Sequence, residues 1–166
     1  MQILLVIAVL SWQGCFNVLR RFIVTGALSL IITTAAFWVW PSFGAVAELN
    51  GVFPADAPEG LIMAGAFADE MRRLAAEGPI VIRLHDMKGI VAMPSYHTVM
   101  ACLCLWFSWH TPARWPLFIA SVLMVPAILT HGGHHLVDVP AGVAVFAFSL
   151  WIARMWVRSD DLPGQT

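Results

Sequence analysis

Residues 22–42 constrain the fold more than any other part of the chain, because this long stretch contains no charged side chain. About 20 mostly apolar residues are enough for a helix to cross the hydrocarbon core of a bilayer. The composition agrees: 60% of the 166 residues are apolar and 11% are charged, whereas soluble domains carry about 25% charged residues. The sequence therefore predicts an integral membrane protein, and its net charge of −1 gives no indication of a nucleic-acid partner.

Five apolar segments predict an all-α, multi-pass transmembrane bundle that forms one membrane-embedded domain over residues 1–166. The predicted spans are residues 2–19, 22–42, 94–110, 115–130 and 136–156. In this organisation residues 1–21 form the first span, 43–93 a long loop, 94–156 the helices with the catalytic motifs, and 157–166 a tail.

Arginines between the predicted spans indicate the orientation of the bundle. Arg20 and Arg21 follow the first span and Arg114 follows the third, whereas Arg154 and Arg158 lie at the end of the fifth span and just after it. Basic residues near span ends favour the cytoplasmic side of a membrane. The tail is therefore predicted to be cytoplasmic, whereas the 43–93 loop and residues 128–135 are predicted to be extracytoplasmic.

The long loop contains its own amphipathic pattern. Met63, Phe67, Met71 and Leu74 repeat at helical spacing, with charged residues between them. An apolar face of this kind is typical of a helix that lies on the membrane surface. A solvated loop helix without a functional role explains the same pattern.

The stretch "GGHHLVDVPAG" places His134 four residues before Asp138. On a helix this spacing puts both side chains on one face. A carboxylate that binds one imidazole nitrogen fixes the tautomer and leaves the other nitrogen available as a base, nucleophile or ligand. A carboxylate in a membrane helix is costly unless it is paired, so a purely structural pair is the alternative.

A second motif, "MPSYHT", places Ser95 and His97 at the start of the third predicted span, on the same side of the membrane as His134. Helix N-termini bind anions such as phosphate through their unpaired N–H groups. Ser95 can donate a further hydrogen bond, and Arg83 and Lys88 lie just upstream and carry positive charge. Considered alone, the motif is better explained by an ordinary helix start followed by a surface histidine. The His134–Asp138 motif on the same side of the membrane reverses that preference.

These two motifs resemble signatures of the type 2 phosphatidic-acid phosphatase superfamily. "MPSYHT" is similar to its Pro-Ser-x-His signature, and "GGHHLVDVPAG" to its His-x-x-x-Asp signature. The resemblance covers about residues 22–155 and is closest to the branch of inositol phosphorylceramide synthases and related bacterial proteins. The first signature, Lys-x6-Arg-Pro, is absent, and Ala127 and Ile128 replace the usual Ser-Arg. The superfamily usually has six membrane helices, which suggests that one is missing at the front of this chain.

The resemblance implies an enzyme that transfers phosphate from a lipid phosphate or pyrophosphate ester in the bilayer to water or to an alcohol. His134 would be the nucleophile and form a phosphohistidine, Asp138 would orient it, and His97 would protonate the leaving oxygen. No metal and no cofactor are expected. Because the usual cations are missing, Ser95, Lys88, Arg83 and His131 are the predicted substrate-binding residues, and His135 is expected to pack nearby.

Three other interpretations remain open at this point. "HGGHH" also matches a histidine box of di-iron membrane desaturases, although such enzymes need several boxes. A mononuclear metal hydrolase could use His97, His134 and Asp138 as ligands. The third alternative is a catalytically silent membrane protein of the same fold. Sensitivity to a chelator distinguishes the metal enzymes, and phosphorylation of His134 distinguishes the silent protein.

Overall fold

A computed structural model describes residues 2–40, Ala76, 93–130 and 135–157 of the chain, with the backbone alone for 125–130. Over these residues the regular structure is helical and contains no strand. The five helices are α1 (Gln2–Trp12), α2 (Phe16–Val39), α3 (Tyr96–Ser108), α4 (Arg114–Thr130) and α5 (Asp138–Trp156). The predicted all-α fold class is therefore confirmed for the described residues. The predicted amphipathic helix lies outside them.

The junction between α1 and α2 differs from the prediction of one helix over residues 2–19. Gly14 adopts a positive φ of 68°. The N–H of Cys15 donates to the carbonyl of Leu10 at 3.0 Å, and the N–H of Gly14 donates to Ser11 at 3.1 Å. These two bonds form a Schellman motif, which ends a helix at a left-handed residue. As a consequence α1 ends at Trp12, and Arg20 and Arg21 lie inside α2 rather than between two helices.

Helix α3 is the centre of the bundle, because it contacts each of the other four helices. Its side chains Val99 and Cys104 have no exposed surface. Near its other end, the ring of Phe107 packs edge-on against Phe22 of α2, with 5.5 Å between the ring centroids. Burial of aromatic and aliphatic groups around α3 therefore determines the position of its first turn. This turn carries part of the motif "MPSYHT".

Small polar side chains of α2 are buried within the bundle. Thr25 and Ser29 of α2 are fully buried. Their hydroxyls donate to the carbonyls of Arg21 at 2.7 Å and Thr25 at 2.8 Å, one turn earlier in the helix. Buried hydroxyls satisfied in this way are typical of packed membrane helices.

Two of the described helices, α2 with 24 residues and α5 with 19, are long and apolar enough to cross a bilayer. The other three are apolar but shorter. Length and composition alone therefore support two spans, and the larger number predicted from the sequence stays a prediction.

Exposed tryptophans lie at the ends of the helices. Trp12, Trp109 and Trp156 are exposed where α1, α3 and α5 end, and Trp38 and Trp40 are exposed where α2 ends. Tryptophan is enriched at both membrane–water interfaces. This arrangement agrees with a bundle that lies across a membrane.

Candidate active site

The two sequence motifs meet where α3 and α5 begin. The backbone N–H of Ser95, which directly precedes α3, donates a hydrogen bond to the backbone carbonyl of Asp138, the first residue of α5, at 3.3 Å. The motifs are far apart in the sequence, so this contact is a property of the tertiary structure. We call this end of the bundle the motif end.

Gly142, in the second turn of α5, makes the contact between the motif helices possible. A Cβ atom at this position would lie 2.6 Å from the carbonyl oxygen of Ser95 and 2.9 Å from Cβ of Thr98. Both distances are too short for any side chain. No local sequence pattern indicates a role for Gly142, because the atoms that exclude a side chain there belong to another segment of the chain.

Replacing Gly142 with alanine is expected to destabilise the protein by about 1–3 kcal/mol, because the overpacked contact must push α5 away from the start of α3. Gly26→Ala is the matched control. Its added Cβ would meet only the end of the Leu103 side chain, at 3.4 Å, and alanine is favoured over glycine inside a helix by about 1 kcal/mol. Thermal unfolding in detergent should therefore place Gly142→Ala below the wild type and Gly26→Ala at or above it. The reverse order would contradict this account of the contact.

Ser95 is fully buried and begins α3 as its N-cap. Its hydroxyl oxygen accepts a hydrogen bond from the backbone N–H of Thr98 at 3.4 Å, which is long for a bond of this kind. Because the hydroxyl accepts here, its own hydrogen can still be donated to another group. The structure thus gives Ser95 a capping role, and substrate binding by this residue stays a prediction.

Loss of the cap in Ser95→Ala is expected to lower the free energy of unfolding by roughly 0.5–1 kcal/mol, at the low end for N-caps because the bond is long. Ser121→Ala is a suitable comparison. Ser121 is also buried, but its hydroxyl has no hydrogen-bond partner among the described residues. Removing an unpaired buried hydroxyl should cost nothing or stabilise slightly. Equal destabilisation of both variants in thermal unfolding would argue against the cap.

Asp138 is fully buried at the first turn of α5. Its Oδ2 accepts a hydrogen bond from the backbone N–H of His135 at 2.7 Å. A carboxylate that reaches back three residues in this way resembles one half of a capping box, and the helix dipole favours a negative charge at this position. The carboxylate is therefore fixed beside the segment that leads into α5.

Helix α5 begins at Asp138, and residues 135–137 precede it outside the helix. His134 lies outside the described residues, so its place on one face with Asp138 stays a prediction. The sequence did not predict the hydrogen bond from the backbone N–H of His135 to Asp138. Nearly every residue type has such an N–H group, so the identity of residue 135 does not indicate the bond.

His97 lies in the first turn of α3, and its side chain is exposed at the motif end. It is therefore accessible to a ligand there. The other predicted site residues, His134, His131, Lys88 and Arg83, lie outside the described residues. The structure thus brings together the parts of the two motifs formed by Ser95, His97, His135 and Asp138.

The opposite end of the bundle carries His110 and the arginines that the structure describes, namely Arg20, Arg21, Arg114 and Arg154. Arg21 Nη2 donates to the carbonyl of Val157, just after α5, at 2.9 Å, and His110 follows the end of α3. At about 1.5 Å per residue, the length of α3 separates His110 from His97 by roughly 20 Å. His110 therefore cannot join a histidine cluster at the motif end.

Comparison with known protein families shows to which family this chain belongs. The sequence model described as the PAP2 superfamily matches residues 1–152, which include α1 and most of α5. The chain belongs to the PAP2 superfamily. Membership supports phosphatase-type activity in general and agrees with a helical membrane fold, as the resemblance of the motifs predicted. No curated protein and no solved structure is significantly similar to this PAP2 protein.

Proposed function

We propose that this PAP2-superfamily protein is an integral-membrane phosphatase or phosphotransferase that acts on a lipid phosphate or lipid pyrophosphate ester at the motif end. The observation that carries the proposal is the hydrogen bond between the Ser95 N–H and the Asp138 carbonyl. It joins the starts of the two helices whose motifs resemble the catalytic signatures of the superfamily.

The proposed reaction has two steps, both at phosphorus. The free imidazole nitrogen of His134 attacks the phosphoryl group, a P–N bond forms and the P–O bond of the ester breaks. His97 gives its proton to the leaving oxygen. In the second step His97 removes a proton from water or an alcohol, whose oxygen attacks phosphorus and displaces His134. Splitting the displacement through a covalent intermediate gives two easier steps, and each needs a proton transfer that one positioned histidine can provide.

In this proposal Asp138 orients His134. Its carboxylate is fully buried and is fixed by the N–H of His135, the residue that follows His134 in the chain. A carboxylate held in this place is suited to bind an imidazole N–H and to stabilise the positive charge that develops on the ring. The bond between the His135 N–H and Asp138 therefore caps the start of α5. It also fixes the carboxylate that would orient His134.

The negative charge of the phosphoryl group would be balanced by the N-terminal ends of α3 and α5, which meet at this site. Helix N-termini attract anions, and fixed donors stabilise charge that develops in phosphoryl transfer. We propose that Ser95, Lys88, Arg83 and His131 add donors and positive charge. The altered cation set also leads us to propose the inositol phosphorylceramide synthase branch. We further propose that the site faces the extracytoplasmic side, because the basic residues at the other end favour the cytoplasmic side.

The proposal is tested by measuring phosphate release from phosphatidic acid, a phosphorylated phosphatidylglycerol and an isoprenyl pyrophosphate, with EDTA present. The purified full chain should release phosphate from at least one of them, and His134→Ala should not. Parallel reactions with inositol identify transfer to an alcohol through a new phosphoinositol product. Activity that EDTA abolishes would favour the metal-dependent alternative, and no release or transfer with any substrate would favour the silent protein.

A further inference from the structure

A second site is suggested by a cavity at the end of the bundle opposite the motif end. The cavity has a volume of about 1070 Å³, and it is lined by residues from the α1–α2 junction, the end of α3 and the end of α5. Its wall is mostly apolar and includes Leu10, Phe107 and Phe146. A cavity of this size is large enough for a small molecule or part of a lipid.

Two arginines line this cavity, and no carboxylate among the described residues does so. Arg21 donates from Nη2 to the carbonyl of Val157 at 2.9 Å, but its buried Nε has no hydrogen-bond partner in the described part of the chain. The guanidinium of Arg154 lies over the ring of Trp106, 5.2 Å from the ring centroid. This contact uses the face of the guanidinium and leaves its N–H edge available.

We propose that this cavity binds an anionic phospholipid, with the headgroup phosphate held by Arg21 and Arg154 and an acyl chain along the apolar wall. The charge of the lining favours an anion, and guanidinium groups match the geometry of phosphate oxygens. The apolar wall favours a lipid over free phosphate, because phosphate alone leaves that wall uncovered. Trp106 and Trp109 line the same cavity and are typical of the depth where headgroups lie.

The orientation of the bundle agrees with this ligand. Basic residues mark this end as the cytoplasmic end by the positive-inside rule, and the cytoplasmic leaflet carries negatively charged lipids. The site lies at the other end of α3 from His97, so the inference does not depend on the proposed catalytic function.

Native mass spectrometry of the full chain in detergent tests the inference, with phosphatidylglycerol and phosphatidylcholine of identical acyl chains as probes. The wild type should retain phosphatidylglycerol in preference to phosphatidylcholine. The double variant Arg21→Gln/Arg154→Gln should bind phosphatidylglycerol about tenfold more weakly or worse, because two charge-assisted contacts are lost. Arg20→Gln/Arg114→Gln is the matched control, since it removes two charges at the same end from residues that do not line the cavity.

The results distinguish specific binding of the lipid in the cavity from non-specific attraction of an anionic lipid to the basic end of the bundle. The control double variant should still prefer phosphatidylglycerol to phosphatidylcholine. Arg21→Lys/Arg154→Lys keeps both charges and should keep this preference too. These two results support the site even where the glutamine variant folds poorly. Equal loss in the control and cavity double variants would overturn it, and so would a wild type without preference. Inorganic phosphate and glycerol phosphate form a further arm: displacement of phosphatidylglycerol by either at comparable concentration would overturn the choice of a lipid.

Discussion

Replacing His134 with alanine is expected to abolish phosphate release from lipid phosphates while the protein still inserts into the membrane. The reason is chemical: alanine offers no nitrogen to attack phosphorus, so the covalent route is closed. The measurement is release of inorganic phosphate by purified wild type and variant in the presence of EDTA. A variant that keeps a substantial share of the activity would contradict the role given to His134.

His135→Ala is the matched control for this variant, because it removes the neighbouring imidazole. The structure shows His135 binding Oδ2 of Asp138 through its backbone N–H, at 2.7 Å, and an alanine keeps that N–H. We therefore expect His135→Ala to retain much more activity than His134→Ala. Equal losses in the two variants would indicate that the segment as a whole, rather than one nucleophile, is required.

Replacing His97 with alanine is expected to lower turnover by roughly a hundred- to ten-thousand-fold, the usual contribution of a positioned general acid. The leaving oxygen of a lipid ester needs a proton, and His97 is the exposed histidine in the first turn of α3. Turnover should be measured with a lipid phosphate and with a nitrophenyl phosphate.

The comparison of the two substrates identifies the step that His97 serves. A nitrophenolate leaves without protonation, so under conditions where formation of the phosphoenzyme limits the rate, the loss in His97→Ala should be much smaller for this substrate. An equally large loss for both would contradict a role as general acid to the leaving group. A loss no larger than that of His135→Ala would remove His97 from the mechanism.

The motifs and the helical class could be predicted from the sequence because both are local patterns. Apolar runs indicate the helices, and "MPSYHT" and "HHLVDVPAG" carry their residue spacing with them. Ends of helices were harder to predict. The apolar run over residues 2–19 continues past Gly14, and only the left-handed backbone at this glycine shows that the chain turns there, so Arg20 and Arg21 belong to α2.

The contacts that build the motif end could not be predicted from the same patterns. Gly142 is required because the carbonyl of Ser95 occupies the place of its side chain, and the sequence of α5 alone contains no information about that neighbour. The pairing of Asp138 with the imidazole of His134 stays a prediction, because His134 lies outside the described residues. The bond from the backbone N–H of His135 to Oδ2 of Asp138 is a contact that residue types could not predict. Residue types suggest which groups are chemically able to act, whereas tertiary packing determines which of them meet.

Trapping the phosphoenzyme tests the central claim most directly. Purified protein is mixed with a lipid phosphate, quenched in alkali, where phosphohistidine is stable and the ester bonds of lipids are not, digested, and analysed by mass spectrometry. We expect an alkali-stable, acid-labile phosphate on His134 that is absent from His134→Ala. Phosphate on another residue, or turnover by the wild type with no phosphorylated His134 at any time point, would contradict it.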